Sequence, residues 1–279
     1  MITSVRDFAA DFCAILTIFR AKLNSFRLNT LFIGRIFLHL PETGSTNDFA
    51  LEWAKLGPAE GAMVLADYQS NGKGQRTNVW FSDAGKNLTF SILLYPRFLE
   101  PGSVFLLNKL VSVAIVQVLK KYLPSAEVKI KWPNDILVNR KKICGILIEN
   151  ILDGAKVVQA VVGIGLNVNQ EEFPPGLIFP ATSMKNISGS EHDLMEILEG
   201  LSKEIEVLYL QLKSGNTSRL DFEYTGNLIS YQEKVNVVIG DETESQEAIF
   251  TGVDSHGRVA LEINRKLHYF QPKEIRFLF

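Results

Sequence analysis

The 279-residue sequence holds only two cysteines, Cys13 and Cys144, too few for a disulfide framework and in keeping with a reducing, cytoplasmic setting. Its four histidines, His39, His192, His256 and His268, are scattered, and neither HExxH nor CxxC occurs. No structural or catalytic zinc site is expected from such a set. A basic surplus is missing as well: 29 Lys and Arg face 31 acids, for a net charge of −2. That balance argues against a nucleic-acid partner. In the N-terminal segment the longest uncharged run, Phe12 to Phe19, is far too short to cross a bilayer, so no membrane partner is expected. The order of a signal peptide is missing there, and Asp7 and Asp11 argue against a transit peptide. Neither GxxxxGK[ST] nor GxGxxG before a helix occurs, and no internal repeat or low-complexity tract is present.

What is there is ordinary globular material: 46% hydrophobic and 22% charged residues, enough for one large core or one core with a small appendage. Residues 1–35 form an N-terminal extension in which Phe8, Phe12, Ile15, Phe19, Leu23 and Phe26 recur at the spacing of an amphipathic helix. From Ile36 the texture changes. A strand and turn lead to Ser45-Thr46-Asn47, N-cap candidates for a helix running to about Gly57. The strands GAMVLADYQ and LTFSILL flank a polar loop, and Ser103 is expected to cap a long apolar helix that Pro124 stops. After the stretch KWPNDILVNRKKICGILIE come the strand KVVQAVVGIGLNVN, a Pro-rich loop and a helix from about Ser190 to Lys213. Strands and helices intermix through hairpins rather than regular βαβ units, which reads as α+β. Residues 230–279 are four or five short strands with turn chemistry, a small barrel; their eight acids against six Lys and Arg make RNA binding improbable there too.

Chemistry concentrates in three places. With Asn139-Arg140 as a turn centre, Val138 faces Lys141, Leu137 faces Lys142 and Asp135 faces Cys144. Alternation then puts Asp135, Leu137, Lys142 and Cys144 on one face. Asp135 and Lys142 become diagonal neighbours, about 7–8 Å apart at Cα. A solvated surface pair is one reading. The other draws on the bulky Trp132-Pro133 and on Gly145, which permits close approach to the backbone. A cation in a cleft neutralises an anionic substrate oxygen, and a carboxylate beside it takes a proton from an incoming amine. The loop SNGKGQRTNVW carries glycine-spaced amides with Lys73 and Arg76, suited either to cradling phosphates or to a mobile polar turn. In GIGLNVN, Gly163 and Gly165 offer close approach to a ligand or tight sheet packing, and Asn167 an amide oxygen.

Together these segments resemble biotin protein ligases. GKGQRTNVWFSDAGKNLTFS, KWPNDILVNRKKICGILIE and GIGLNVN occur in that family's order and spacing, with the STND start, Ala181-Thr182-Ser183 and a small C-terminal barrel, over residues 36–279. The resemblance implies a catalytic domain over 36–229, a mixed sheet with helices packed on one side, and an SH3-like domain over 230–279. The implied activity has two steps. Biotin and MgATP give biotinyl-5′-adenylate and pyrophosphate, and a lysine of a biotin carboxyl carrier protein then attacks to form an amide. By the same resemblance, Lys142 contacts the biotin carboxylate and the α-phosphate, and Asp135 receives the target lysine's proton. Ser45, Thr46, Gln69, Gly145, Leu147 and Gly163 contact biotin, while Gly72, Lys73 and Gly74 fold over it. Arg76, Asn78, Trp80, Asn87, Lys131, Asn134 and Asn167 join Lys73 and Lys142 around ATP. No direct metal ligand is assigned, and the Mg2+ that accompanies ATP falls near Asn167.

The family's common loop reads Gly-Arg-Gly-Arg-Arg-Gly-Arg-x-Trp; here Gln75, Thr77 and Asn78 stand at its fourth, sixth and seventh places. Arg76 supplies a substitute cation, and adenylate retention weaker than in arginine-rich relatives is one expectation. Thirty-five residues before Ile36 hold no helix-turn-helix, so the repressor role of some members is not expected. A homodimer is left open. The rivals are a lipoate ligase with the same adenylating logic, and a biotin-binding module without catalysis.

Overall fold

A computed structural model of the protein describes residues 28–75, 78–177 and 179–278. The amphipathic pattern from Phe8 to Phe26 lies outside these residues, as does Arg76 of the glycine loop. The first elements are β1 (Phe37–Thr43), α1 (Thr46–Ala54), β2 (Met63–Gln69), β3 (Leu88–Leu94) and α2 (Phe105–Tyr122). They are followed by β4 (Val128–Lys131), β5 (Asp135–Val138), β6 (Lys141–Asp153) and β7 (Lys156–Leu166). Three helices come next: α3 (Met184–Ser188), α4 (Leu194–Lys213) and α5 (Ser218–Asn227). The last strands are β8 (Lys234–Ile239), β9 (Gln246–Val253), β10 (Val259–Ile263), β11 (Lys266–Phe270) and β12 (Ile275–Leu278).

Seven strands form one sheet in the order β1-β2-β3-β7-β6-β5-β4, with β1 and β2 parallel and the other neighbours antiparallel. This is the mixed sheet of an α+β fold. Alternation along each strand assigns its two faces. Val162, Ile164 and Leu166 of β7 join Phe90 and Ile92 of β3 and Ile146 of β6 in the main core beneath α2 and α4. The residue before them on β7, Val161, faces the other way, where Leu38, Val64 and Leu93 pack against Phe49, Ala50 and Trp53 of α1. Helices therefore cover both faces, a correction to the one-sided layer expected from the sequence. The reason lies in β3, which is buried along its whole length and needs cover above and below. Because α1 is only nine residues long, it shields part of its face and leaves the glycine end of β7 open.

The apolar helix α2 is buried over most of its length and forms the centre of the main core. Ser103 does not cap it; a short 3-10 turn, Pro101–Ser103, leads in, and Val104 occupies the cap position without a side-chain bond. The next long helix, α4, begins at Leu194 rather than near Ser190, because the Asp193 carboxylate accepts from the amides of Met195 and Glu196. Residues 28–35, grouped with the N-terminal extension on sequence grounds, are held in the core. Leu28 and Ile33 are fully buried, and the buried Glu206 carboxylate accepts from the amides of Leu31, Phe32 and Ile33 at 2.7–2.9 Å.

Strands β8 to β12 make a second, antiparallel sheet in the order β11-β10-β9-β8-β12, the small C-terminal domain. Trp132 joins it to the larger, seven-stranded part of the molecule. The indole donates to the Gly257 carbonyl at 3.0 Å and meets Phe277 edge-on at 6.2 Å between ring centres.

Candidate active site

The open glycine end of β7 becomes the floor of a cavity of about 560 Å³, within the usual range for small-molecule sites. Gly165 of β7 pairs with Gly145 of β6, and Gly163 pairs with Leu147, so three of four floor positions carry no side chain. What stands above them shows why. A Cβ at Gly163 would fall 2.1 Å from Asn47 Oδ1, and one at Gly165 2.4 Å from the Trp80 indole. At Gly145 it would sit 3.4 Å from Lys142 Nζ and tighter still against Trp80. The glycines thus let α1, the loop and a lysine close down on the sheet.

At one end stand the charges. Lys142 Nζ lies 2.6 Å from Asp135 Oδ1, and Lys131 Nζ 3.2 Å from Asp135 Oδ2. All three side chains are less than a third exposed: 28% for Lys142, 21% for Lys131 and 14% for Asp135. Two ammonium groups on one carboxylate leave a net positive cluster, partly shielded from water, where an added anion is favoured. Lys131 also lies over the Phe179 ring at 4.9 Å and Lys142 over Trp80 at 5.7 Å.

The hairpin that builds this cluster departs from simple alternation. Asp135 pairs with Gly145, not Cys144, because a bulge between Ile136 and Leu137 shifts the register. Cys144 pairs with Ile136, points into the core with its neighbour Ile143, and has its thiol pKa pushed up by burial. It therefore leaves the face assigned to it on sequence grounds, while Asp135 and Lys142 still meet.

At the other end Thr46, Asn47 and Gln69 line the cavity. Ser45 holds the N-cap position of α1 in an extended conformation without a side-chain cap bond, which leaves its hydroxyl to the cavity. Thr46 N donates to Gln69 Oε1 at 2.7 Å. Of the loop, Lys73, Gly74, Asn78 and Trp80 line the cavity, and Lys73 pairs with Asp48 of α1 at 2.5 Å. Gly72 stands behind, accepting from Trp80 N at 2.9 Å to close the loop on itself. Asn134 lines the wall and donates to the Ile146 carbonyl at 2.7 Å.

Two predicted residues are elsewhere. Asn87 is buried away from the cavity, donating to Ser82 and Gln170 and accepting from Val168 N at 2.8 Å. Asn167 is likewise buried and donates to the Thr182 carbonyl. Neither side chain reaches the lining. Sequence reasoning missed the wall that the C-terminal domain supplies, Arg276 and Phe277 of β12 among it. No local signal near the other motifs points to a strand more than a hundred residues away.

A family model described as the Biotin/lipoate A/B protein ligase family matches residues 40–167. The chain is 30% identical over 230 residues to the biotin–[acetyl-CoA-carboxylase] ligase of Paracoccus denitrificans, a match covering 80% of this chain and 92% of that protein. The chain belongs to the biotin protein ligase family. A 35% identical stretch is shared with the bifunctional ligase/repressor BirA of Bacillus spizizenii; it covers 62% of this chain and 54% of that protein, about half its length. In three dimensions the fold matches the biotin protein ligase of Aquifex aeolicus solved with biotin and ATP. The TM-score is 0.73 at 24% identity, covering 87% of this chain and 98% of that one.

In this biotin protein ligase family member Asn87 is a structural residue by its contacts. Asn87→Ala is expected to cost about 1–3 kcal/mol through the amide and side chains it leaves unpaired. Melting curves should show a Tm lower by several degrees.

Proposed function

We propose that this chain activates biotin with ATP to biotinyl-5′-adenylate and transfers biotin to a lysine of a biotin carboxyl carrier protein. The observation that carries this reading is the Lys142–Asp135–Lys131 cluster at the lip of a glycine-floored cavity. Adenylation brings a carboxylate against an α-phosphate, and cations are needed where that negative charge gathers. The polar end over Gly163 and the charged end over Gly145 lie one two-residue strand repeat apart along the floor, about 6–7 Å. A polar ring at the first and an acyl chain running to the second suits biotin. Among the described residues no group of three His, Cys, Asp or Glu stands close enough to hold a metal. Mg2+ enters with ATP, held mainly by its phosphates.

The family model embraces lipoate enzymes, and the buried polar groups favour biotin. An apolar dithiolane ring would leave the Gln69 amide nitrogen and the remaining lone pairs of the Thr46 hydroxyl without partners, which a site built of hydrogen-bonding groups rejects. ATP–pyrophosphate exchange run with biotin and with lipoate side by side tests this. Exchange is expected with biotin; exchange that responds to lipoate alone would overturn the assignment.

A further inference from the structure

Resting on the biotin reading, we infer that Ser91, paired with Gly163 at the edge of the cavity floor, is a positioning residue that fixes which way the Thr46 hydroxyl proton points and so makes Thr46 a pure acceptor toward the ligand. Ser91 sits on β3 with no exposed surface. Its Oγ lies 2.8 Å from Thr46 Oγ1 and 2.7 Å from Asn47 Oδ1. A hydroxyl has one proton to give, and an amide oxygen can only accept. The orientation of Asn47 is set independently: its Nδ2 lies 2.7 Å from a Glu149 carboxylate oxygen and 3.2 Å from the Leu147 carbonyl. Turning that amide over would press its oxygen against two acceptors. Asn47 therefore directs Oδ1 at Ser91, and Ser91 must donate there. The remaining contact, between Ser91 and Thr46, then holds a proton only if Thr46 provides it.

With its proton committed, Thr46 Oγ1 offers only lone pairs to the cavity. Beside it Gln69 accepts from Thr46 N at 2.7 Å through Oε1, which turns its amide nitrogen, a donor, the other way. An acceptor next to a donor reads a ligand group in which an N–H adjoins a carbonyl, as in a cyclic urea. The chain Glu149, Asn47, Ser91, Thr46 thus carries a fixed carboxylate's influence from β6 through α1 and β3 to the ligand. A site lacking it would hold the same atoms with a hydroxyl free to present either polarity.

The test compares equilibrium binding of biotin with that of a cyclic carbamate analogue in which one ureido N–H is replaced by oxygen, using the full chain. Wild-type protein should prefer biotin by at least about tenfold, the loss of one well-placed hydrogen bond. Ser91→Ala should bind biotin about tenfold more weakly with the KM for ATP unmoved, and its preference over the carbamate should shrink to within about threefold. Asn47→Ala, which frees Ser91 to turn its proton on Thr46, should collapse the preference in the same way and serves if Ser91→Ala fails to fold. A preference left intact in a folded variant overturns the role of Ser91. Failure of wild-type protein to bind biotin at all sinks the biotin reading and this inference with it.

Discussion

Lys142→Ala is expected to lower biotin-dependent ATP–pyrophosphate exchange by about 10²–10³-fold, the scale of removing one preorganised charge from a transition state. The ammonium lies against Asp135 at 2.6 Å and reaches the cavity over Gly145, whose missing side chain lets the lysine stem lie flat. The fold should survive. Asp135 keeps Lys131 at 3.2 Å as a partner, and a half-shielded ion pair contributes little to stability. Lys142→Met separates charge from shape, because it retains an unbranched stem of similar length. It should lose as much exchange as the alanine variant while melting within a few degrees of wild type. Arginine is not a conservative replacement, since a planar fork needs room that Trp80 already occupies above the glycines. Near-normal exchange in a folded Lys142→Ala or Lys142→Met protein would remove Lys142 from the chemistry.

The cluster around Lys142 was legible because hairpin geometry brings Asp135 and Lys142 together under either register. The register itself was not. Ile143 and Cys144 are consecutive yet both lie in the same core, where strict alternation would send them to opposite faces; the bulge accounts for it. A pattern read one face at a time has no means of showing that. Glycines 145, 163 and 165 announced close approach in the sequence, but not what approaches them. The structure puts Asn47, Trp80 and Lys142 there. Asn87 and Asn167 illustrate the converse: a matching motif carries residues to the right strand or loop without saying which way they turn. Ser91 gave no signal, being one hydroxyl inside LTFSILL, and α5 gave little, because only Leu220 and Tyr224 of its ten residues are buried. The wall from β12 depends on Trp132 docking a separate sheet, a contact between segments too distant for any local pattern to register.

Asp135→Asn should divide the two half-reactions. Adenylation gathers anionic groups near Lys142 and Lys131, so removing the neighbouring negative charge leaves the cations better able to attract them. Pyrophosphate exchange is therefore expected to stay within about tenfold of wild type. Transfer has the opposite need. The acceptor lysine, with a pKa near 10.4, arrives almost wholly protonated at neutral pH and cannot attack until it loses a proton. Asp135 is the carboxylate that lines the cavity beside Lys142, and once that lysine engages the anionic substrate the freed oxygen stands ready to take the proton. An amide in its place cannot, so single-turnover transfer from preformed adenylate should fall by about 10²–10⁴-fold. Raising the pH supplies free amine from bulk water, roughly tenfold more per unit below its pKa, so the asparagine variant should recover toward wild type between pH 7 and 9. Equal loss in exchange and transfer, or a transfer defect that ignores pH, would contradict a proton-accepting role and leave Asp135 as a brace for the two lysines.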